Sequence, residues 1–405
     1  MRIVIVTAGS RGDVAPFTGL AQRLQQAGYQ VAVAAHEPFA SLLSGCGLEY
    51  LPLPGDPVAL VQDRARAPSP EAGKALIEAF LDQLADGVIA AAADADAVLT
   101  AFGPAPLSAL AGEAFGLPVI GTYLAPAIPT VEFALPGSAQ PDRPGGRGNL
   151  EAGEVLLRLA ASGYAKVVAR MRTVLGLPGP DSAARPGLLG GRPVCHGFSP
   201  VIVPRPADWP AEADVAGYWW PARPRGWQPP GELVSFLDAG PAPVYIGFGS
   251  MAPGEGDRLG EMVVSAVGRA GVRAVVQAGW SGLAPHGDNV LAIGDLPHEW
   301  LFPRMTAVVH HAGAGTTGAV LRAGVPAVTI PVMADQPFWA DRLQRLGVAP
   351  PPIPFAQLTA AGLSAAITAA ISEPSYRQRA RQVAGLIAAE DDAANVIERV
   401  RRLAS

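Results

Sequence analysis

The chain of 405 residues is 49% hydrophobic and 16% charged, a composition that is typical of a soluble globular protein and excludes a disordered one. Its length exceeds what one ordinary hydrophobic core holds, so two domains are expected. The formal net charge of −5 and the absence of a lysine- or arginine-rich run indicate that nucleic acid is not a partner.

Apolar runs alternate with amphipathic helical segments through the N-terminal half, which predicts a parallel α/β sheet. The first run, at residues 2–8, is too short for a signal-peptide core and is predicted to be a strand. A helix is predicted from about Pro16 to Ala27, ended by Gly28. Further strands are predicted at 29–35, 97–102 and 118–124, with a helix at 106–116.

A second series of the same kind begins at "PVYIGFGSM" (243–251). A helix is predicted over 257–270, and strands are predicted at 273–279, 290–297, 307–313 and 326–332. About 30 residues at the C-terminus are helical and amphipathic. The sequence therefore predicts two Rossmann-like halves.

We expect four parts along the chain. Residues 1–205 form an N-terminal domain, the Pro- and Trp-rich segment 206–231 is an interdomain linker, and 232–380 form a C-terminal domain. The helical segment 381–405 either completes the second domain or crosses back to the first. Two Pro- and Gly-rich stretches, 66–74 and 134–152, are predicted as loops that either face a ligand or are mobile.

The cysteines and the acidic pairs do not indicate a metal site. Cys46 and Cys195 lie far apart without CxxC spacing, so neither a disulfide framework nor a metal centre is predicted. Asp94 and Asp96 form a DxD pattern, but it precedes a strand and is expected to be a solvated loop. With no window of about 20 apolar residues for a membrane span, a cytoplasmic protein without stable membrane insertion is expected.

The stretch "AVVHHAGAGTTGAVLRAG" (307–324) predicts a strand, a glycine-rich turn and a helix. Such a turn presents backbone N–H groups and a helix N-terminus, which together bind phosphate. Thr316, Thr317 and a histidine at the strand end can add donors. The alternative is a tight turn whose glycines serve only helix–strand packing. The Lys of a P-loop and the GxGxxG spacing are both absent, so neither ATP nor NAD fits.

Asp335 and Gln336 follow the next predicted strand. Ligands of open parallel sheets bind at the carboxyl ends of the strands, and a carboxylate beside an amide offers the acceptors and donors that sugar hydroxyls need. The alternative is that Asp335 only caps the following helix, and both roles can coexist.

Several motifs together resemble the GT-B glycosyltransferases of family 1, in the form found in bacterial natural-product and sterol glycosyltransferases. These motifs are "GSRGDVAP" (9–16), "FGS" (248–250), "LPHEWLFPR" (296–304), "HHAGAGTT" (310–317) and "ADQPFWADRL" (334–343). The resemblance covers essentially the whole chain. It implies the GT-B fold, in which two Rossmann-like domains with parallel sheets face each other across a cleft.

The resemblance also assigns roles to residues of the second half. His311 is expected to contact the α-phosphate of a nucleotide sugar. The remaining expected contacts are Ser250, Gly313, Gly315 and Thr316 with the β-phosphate, Leu296, Pro297 and His298 with the nucleobase, and Asp335 and Gln336 with the sugar.

The turn after the first strand carries Ser10, Arg11 and Asp13. Ser10 is expected to help bind the diphosphate, and Arg11 can offer it a charged fork. Many GT-B enzymes have a histidine as general base at this place. This chain has Asp13 there, and several bacterial antibiotic glycosyltransferases with "GSRGD" likewise have an aspartate. The resemblance thus implies that Asp13 is the catalytic base. The alternative is that Asp13 caps the helix or pairs with Arg11.

The resemblance implies an inverting, metal-independent transfer of a hexose from a UDP- or dTDP-linked donor to a hydroxyl of a small hydrophobic natural-product acceptor, without a further cofactor. Many family members hold the ribose with a Glu where this chain has Ala319, so both donors stay open. Two other hypotheses remain: an epimerase or hydrolase of the same fold, and a catalytically silent nucleotide-sugar-binding protein. A monomer or weak homodimer is expected.

Overall fold

The computed structural model describes residues 1–138, 145–179, 190–249, 256–278, 287, 289–391 and 393–403. The chain divides into two compact units. The N-terminal unit comprises Met1–Pro200, Pro204–Arg225 and Asp391–Ser405, and the C-terminal unit comprises Val201–Val203 and Gly226–Glu390.

Seven parallel strands form the sheet in the described part of the N-terminal unit. They are β1 (Arg2–Val6), β2 (Gln30–His36), β3 (Glu49–Leu53), β4 (Ala97–Thr100), β5 (Val119–Tyr123), β6 (Val194–His196) and β7 (Ala213–Val215). Their order in the sheet is β3-β2-β1-β4-β5-β6-β7. The central strands are buried on both faces, as the continuous apolar runs predict.

Helices cover both faces of this sheet. They are α1 (Arg11–Gln26), α2 (Ala40–Gly45), α3 (Pro57–Arg66), α4 (Pro70–Ala92), α5 (Ala105–Phe115), α6 (Arg147–Gly163) and α7 (Ala165–Val174). Phe17, Leu20 and Leu24 of α1 pack in one core, while Leu84 and Val88 of α4 pack in the other.

The C-terminal unit has a parallel sheet of five strands among its described residues, in the order β10-β9-β8-β11-β12. The strands are β8 (Val244–Gly247), β9 (Ala274–Gln277), β10 (Val290–Ile293), β11 (Val308–His310) and β12 (Ala327–Thr329). Its helices are α8 (Gly231–Asp238), α9 (Gly256–Ala270), α10 (His298–Leu301), α11 (Ala314–Ala323), α12 (Gln336–Arg345), α13 (Ala360–Ser372) and α14 (Pro374–Ile387). The parallel strands and crossover helices confirm the predicted α/β class.

The last helix, α15 (Ala394–Leu403), belongs to the N-terminal unit. Val396 and Val400 are fully buried in the same core as α1, and Arg399 forms an ion pair with Asp214 of β7. The segment 206–231, predicted as a linker, contains the strand β7, and its residues up to Arg225 lie in the N-terminal unit.

Some element boundaries were predicted wrongly. The first helix begins at Arg11 and not near Pro16, which lies inside the helix as its sixth residue. The stretches 66–74 and 134–152 are not wholly loops, since α4 begins at Pro70 and α6 at Arg147. The predicted helix stop at Gly324 is confirmed, with a left-handed φ of 66°.

Candidate functional site

The turn between β11 and α11 presents a helix N-terminus, as its sequence predicted. Gly313 occupies the N-cap, and its carbonyl accepts the first helical hydrogen bond from the Thr317 N–H at 2.9 Å. Gly315 is exposed and Thr316 is partly exposed. The first-turn N–H groups of α11 have no partner inside the helix, so this turn can bind an anion.

The ring of His311 lies against this turn in a space that glycine leaves open. A Cβ at Gly313 would lie 2.5 Å from His311 Nε2, and a Cβ at Gly249 would lie 2.7 Å from His311 Cε1. Burial lowers the pKa of His311 to about 4, so the imidazole is neutral at neutral pH and keeps one N–H donor. Its buried Nδ1 makes no hydrogen bond of standard geometry among the described residues, although the Gly247 backbone acts to raise the pKa of the ring.

The neighbouring His310 has a different role from His311. It is fully buried, and its Nδ1 accepts a hydrogen bond from the Ala312 N–H at 3.1 Å. Burial lowers the pKa of His310 well below its ordinary value, so its proton is assigned to Nε2. This hydrogen bond helps to hold Ala312 in the left-handed region, at a φ of 63°, which costs about 1–2 kcal/mol for a non-glycine residue.

Asp335 and Gln336 lie at the start of α12, in the segment that follows β12. Strand β12 pairs with β11, the strand that leads into the glycine-rich turn. Asp335 occupies the N-cap of α12 but makes no side-chain capping bond. Its Oδ2 instead accepts from Trp339 Nε1 at 2.8 Å. The Gln336 amide oxygen accepts from the N–H groups of Val332 and Met333 at 2.8 and 3.2 Å.

A row of side-chain hydrogen bonds ends at Asp295, the residue immediately before the segment Leu296–His298. The Tyr245 hydroxyl of β8 donates to the Gln277 amide oxygen, and Gln277 Nε2 donates to Asp295 Oδ1 at 2.6 Å. His298 stacks on Phe302 with ring centroids 4.2 Å apart. The sequence did not single out Tyr245, Gln277 or Asp295, although Gln277 ends β9 and Asp295 follows β10.

In the N-terminal unit, Asp13 lies in the first turn of α1 and is held by Ser10. Asp13 Oδ2 accepts from the Ser10 N–H at 2.7 Å and from the Ser10 hydroxyl at 2.9 Å. Burial raises the pKa of the Asp13 carboxyl above its ordinary value, although the hydrogen bonds from Ser10 act in the opposite direction. Asp13 therefore has the helix-capping role that the sequence gave as the alternative to catalysis. This role is compatible with a catalytic one.

The remaining predicted residues divide as follows. Arg11 begins α1 and is partly exposed, while Ser250 lies outside the described residues. Asp96 accepts a hydrogen bond from the Arg2 N–H at 2.6 Å.

Within the described ranges, no group of three or more His, Cys, Asp or Glu side chains could hold a metal ion. No helix in the described part of the chain is long and apolar enough to cross a membrane.

Two family models match the chain. Residues 3–130 match the glycosyltransferase family 28 N-terminal domain. Residues 263–403 match the C-terminal domain of proteins like the erythromycin biosynthesis protein CIII.

Comparisons that span almost the whole of this chain agree with the family-model matches. The chain is 34% identical to a sterol 3-beta-glucosyltransferase of Arabidopsis thaliana, over 98% of this chain and 65% of the plant protein. It is 35% identical to the O-mycaminosyltylonolide 6-deoxyallosyltransferase of Streptomyces fradiae, over 96% of this chain and 94% of that protein. The solved structure of the glycosyltransferase VinC in complex with dTDP has the same fold, with a TM-score of 0.68, 21% identity and coverage of 100% and 99% of the two chains.

Proposed function

The chain belongs to the GT-B glycosyltransferases that include the sterol glucosyltransferases and the bacterial natural-product glycosyltransferases, and from this premise we propose its reaction. It transfers a hexose from a nucleoside diphosphate to a hydroxyl group of a small hydrophobic acceptor, with inversion at the anomeric carbon. According to their names, one relative acts on a sterol and the other on O-mycaminosyltylonolide, and we propose a hydrophobic acceptor for this chain.

The observation that carries this proposal is the neutral ring of His311 beside the N-terminus of α11. The helix N-terminus favours negative charge, and the imidazole N–H adds a donor. These groups can bind the diphosphate of the donor and stabilise its charge as it leaves. Arg11 is proposed to supply a further positive charge, so the reaction would not need a metal ion.

Asp13 is proposed as the general base. The acceptor oxygen attacks the anomeric carbon, its proton passes to Asp13, and the bond from that carbon to the diphosphate breaks with its electron pair leaving on the diphosphate. A base is more effective when its pKa is near the working pH, and burial raises the pKa of Asp13 in that direction. Attack from the face opposite the leaving group converts an α-linked donor to a β-linked product.

Ser10 is proposed mainly to orient the Asp13 carboxylate. A contact with the diphosphate is proposed as its second role. Its hydroxyl and N–H both donate to the same oxygen, Asp13 Oδ2. With that oxygen held in place, the direction of Oδ1 is fixed.

The test is a calorimetric titration of the protein with UDP and with dTDP. Binding of either nucleotide, followed by transfer to an added hydrophobic alcohol, supports the glycosyltransferase. Turnover of an added nucleotide sugar in the absence of acceptor would support the epimerase or hydrolase, and nucleotide binding without any turnover would support the silent binding protein. The proposal fails if neither nucleotide binds. The solved VinC structure contains dTDP, which is a reason to titrate dTDP beside UDP and not a reason to prefer it as the donor nucleotide.

A further inference from the structure

The carboxylate of Asp335 is held by a buried indole. Trp339 is fully buried in α12, and its Nε1 donates to Asp335 Oδ2 at 2.8 Å. Asp335 is partly exposed and does not use its side chain to cap the helix. A residue one helical turn further along the chain therefore sets the orientation of this carboxylate.

This contact restricts a torsion that is otherwise soft. The terminal torsion of an aspartate is broad and two-fold, so a carboxylate without a fixed donor samples many directions. The indole N–H is a donor only, and the burial of Trp339 fixes its position. When Oδ2 is bound to it, the direction of Oδ1 follows.

Gln336, the next residue, is fixed in a similar way. It is buried, and its amide oxygen accepts from two backbone N–H groups of the loop before α12. Those two bonds identify which end of the amide is the oxygen, so its NH₂ group is the end turned away from the loop. The pair thus combines an oriented carboxylate with an oriented amide.

We propose that Trp339 is a positioning residue for the donor sugar, acting through Asp335 to make the site require a hydroxyl group on that sugar. The inference rests on the proposed function, since it needs a nucleotide sugar at Asp335. An oriented acceptor that faces a CH₂ group is left unsatisfied, and a site built to bind a hydroxyl rejects the analogue that lacks it. Trp339 therefore favours a hydroxylated hexose over the matching deoxy sugar.

The test is the variant Trp339→Phe, assayed with UDP-glucose and dTDP-glucose and with their 2-, 3-, 4- and 6-deoxy forms. We expect kcat/KM with the glucose donor to fall about 10-fold or more, the size of one hydrogen bond to a charged group. The preference for glucose over the least favoured deoxyglucose should shrink by about the same factor. The Kd of UDP or dTDP alone should stay within about twofold, because the diphosphate binds at the turn before α11.

A matched control removes an equivalent indole elsewhere. Trp209 is buried in the N-terminal unit, and its Nε1 donates to the Ile128 carbonyl at 3.0 Å. Trp209→Phe should leave the Kd of the nucleotide sugar, measured without acceptor, unchanged. If Trp339→Phe unfolds the protein, the isostere 3-benzothienylalanine at that position removes the N–H and keeps the volume.

A double-mutant cycle shows whether Trp339 acts through Asp335. In an Asp335→Ala background, Trp339→Phe should cause no further loss. The inference is overturned if the variant keeps wild-type selectivity, or if its effect is equally large without Asp335. Failure of the wild-type protein to bind UDP and dTDP would instead overturn the proposed function, so the two failures are distinguishable.

Discussion

One added methyl group at Gly313 is expected to weaken nucleotide binding by displacing the ring of His311. Gly313 has a φ of −65° and a ψ of 149°, which alanine adopts without strain. Its new Cβ would lie 2.5 Å from His311 Nε2, roughly 1 Å closer than a normal contact of about 3.5 Å. Gly249 leaves no spare room either, since a Cβ there would come within 2.7 Å of the same ring.

The size of the effect follows from these distances. Overpacking of this kind costs about 1–3 kcal/mol, and a hydrogen bond to a charged phosphate contributes a similar amount. The Kd of UDP or dTDP should therefore rise by about 10- to 100-fold in Gly313→Ala, as measured by calorimetric titration. The melting temperature of the variant shows whether the fold is retained.

The control is Gly268→Ala, an exposed position in α9 where a Cβ would meet nothing within 4 Å. This change should stabilise the helix by up to about 1 kcal/mol and leave the nucleotide Kd unchanged. The argument is refuted if Gly313→Ala binds nucleotide like the wild type. It is also refuted if Gly313→Ala weakens binding further in a His311→Ala background, where there is no ring to displace.

Three more predictions concern the base, acid stability and a strained turn. Asp13→Asn should lower kcat by about 10²- to 10⁴-fold while the Kd of UDP or dTDP, measured by titration, is unchanged; normal turnover would remove Asp13 from the mechanism. Burial lowers the pKa of His196 and of His311 to about 4, so between pH 6.5 and 4 the unfolded chain binds protons that the folded chain does not. The free energy of unfolding should then fall as the pH is lowered, by about 2 kcal/mol for each residue at pH 5, and a flat profile in urea denaturation between pH 7 and 5 would contradict this. Ala334 is exposed and has a φ of 56°, so Ala334→Gly should raise the free energy of unfolding by about 0.5–1 kcal/mol, and a lower melting temperature would show that the strain is not there.

The sheet core could be predicted because its strands are continuous apolar runs, buried on both faces. The strands at 97–100 and 119–123 lie inside the runs that were read as strands. The short strands β6 and β7 could not be predicted in this way. In β7 the apolar run is interrupted by Asp214, whose carboxylate is compensated by Arg399 far along the chain. No local pattern contains that pairing.

The candidate site was predicted by residue type but not by orientation. His310 and His311 are adjacent and chemically identical, yet only His311 lies between Gly313 and Gly249, while the His310 ring accepts the hydrogen bond from Ala312. The alternation of side chains along the strand end separates their roles. Similarly, Asp335 was expected to cap its helix or bind a ligand, and the bond to Trp339 was not foreseen.

The candidate-site motifs are compact in sequence because residues close together in the chain orient one another. Ser10 holds Asp13 three residues away, His310 holds Ala312 two residues away, and Trp339 holds Asp335 four residues away. Each motif therefore carries its own geometry wherever the strand–turn–helix frame is present, which explains why it can be recognised without the rest of the chain.

The loop after β5 is built in the opposite way. The Thr130 hydroxyl donates to Asp208, 78 residues away, and Trp209 donates to Ile128, 81 residues away. His196 accepts from the Ala127 N–H across 69 residues. The shape of this loop depends on contacts between distant segments, and a single sequence does not display them. The groups of the candidate donor motifs are therefore oriented by local contacts, whereas the shape of this loop is set by distant ones.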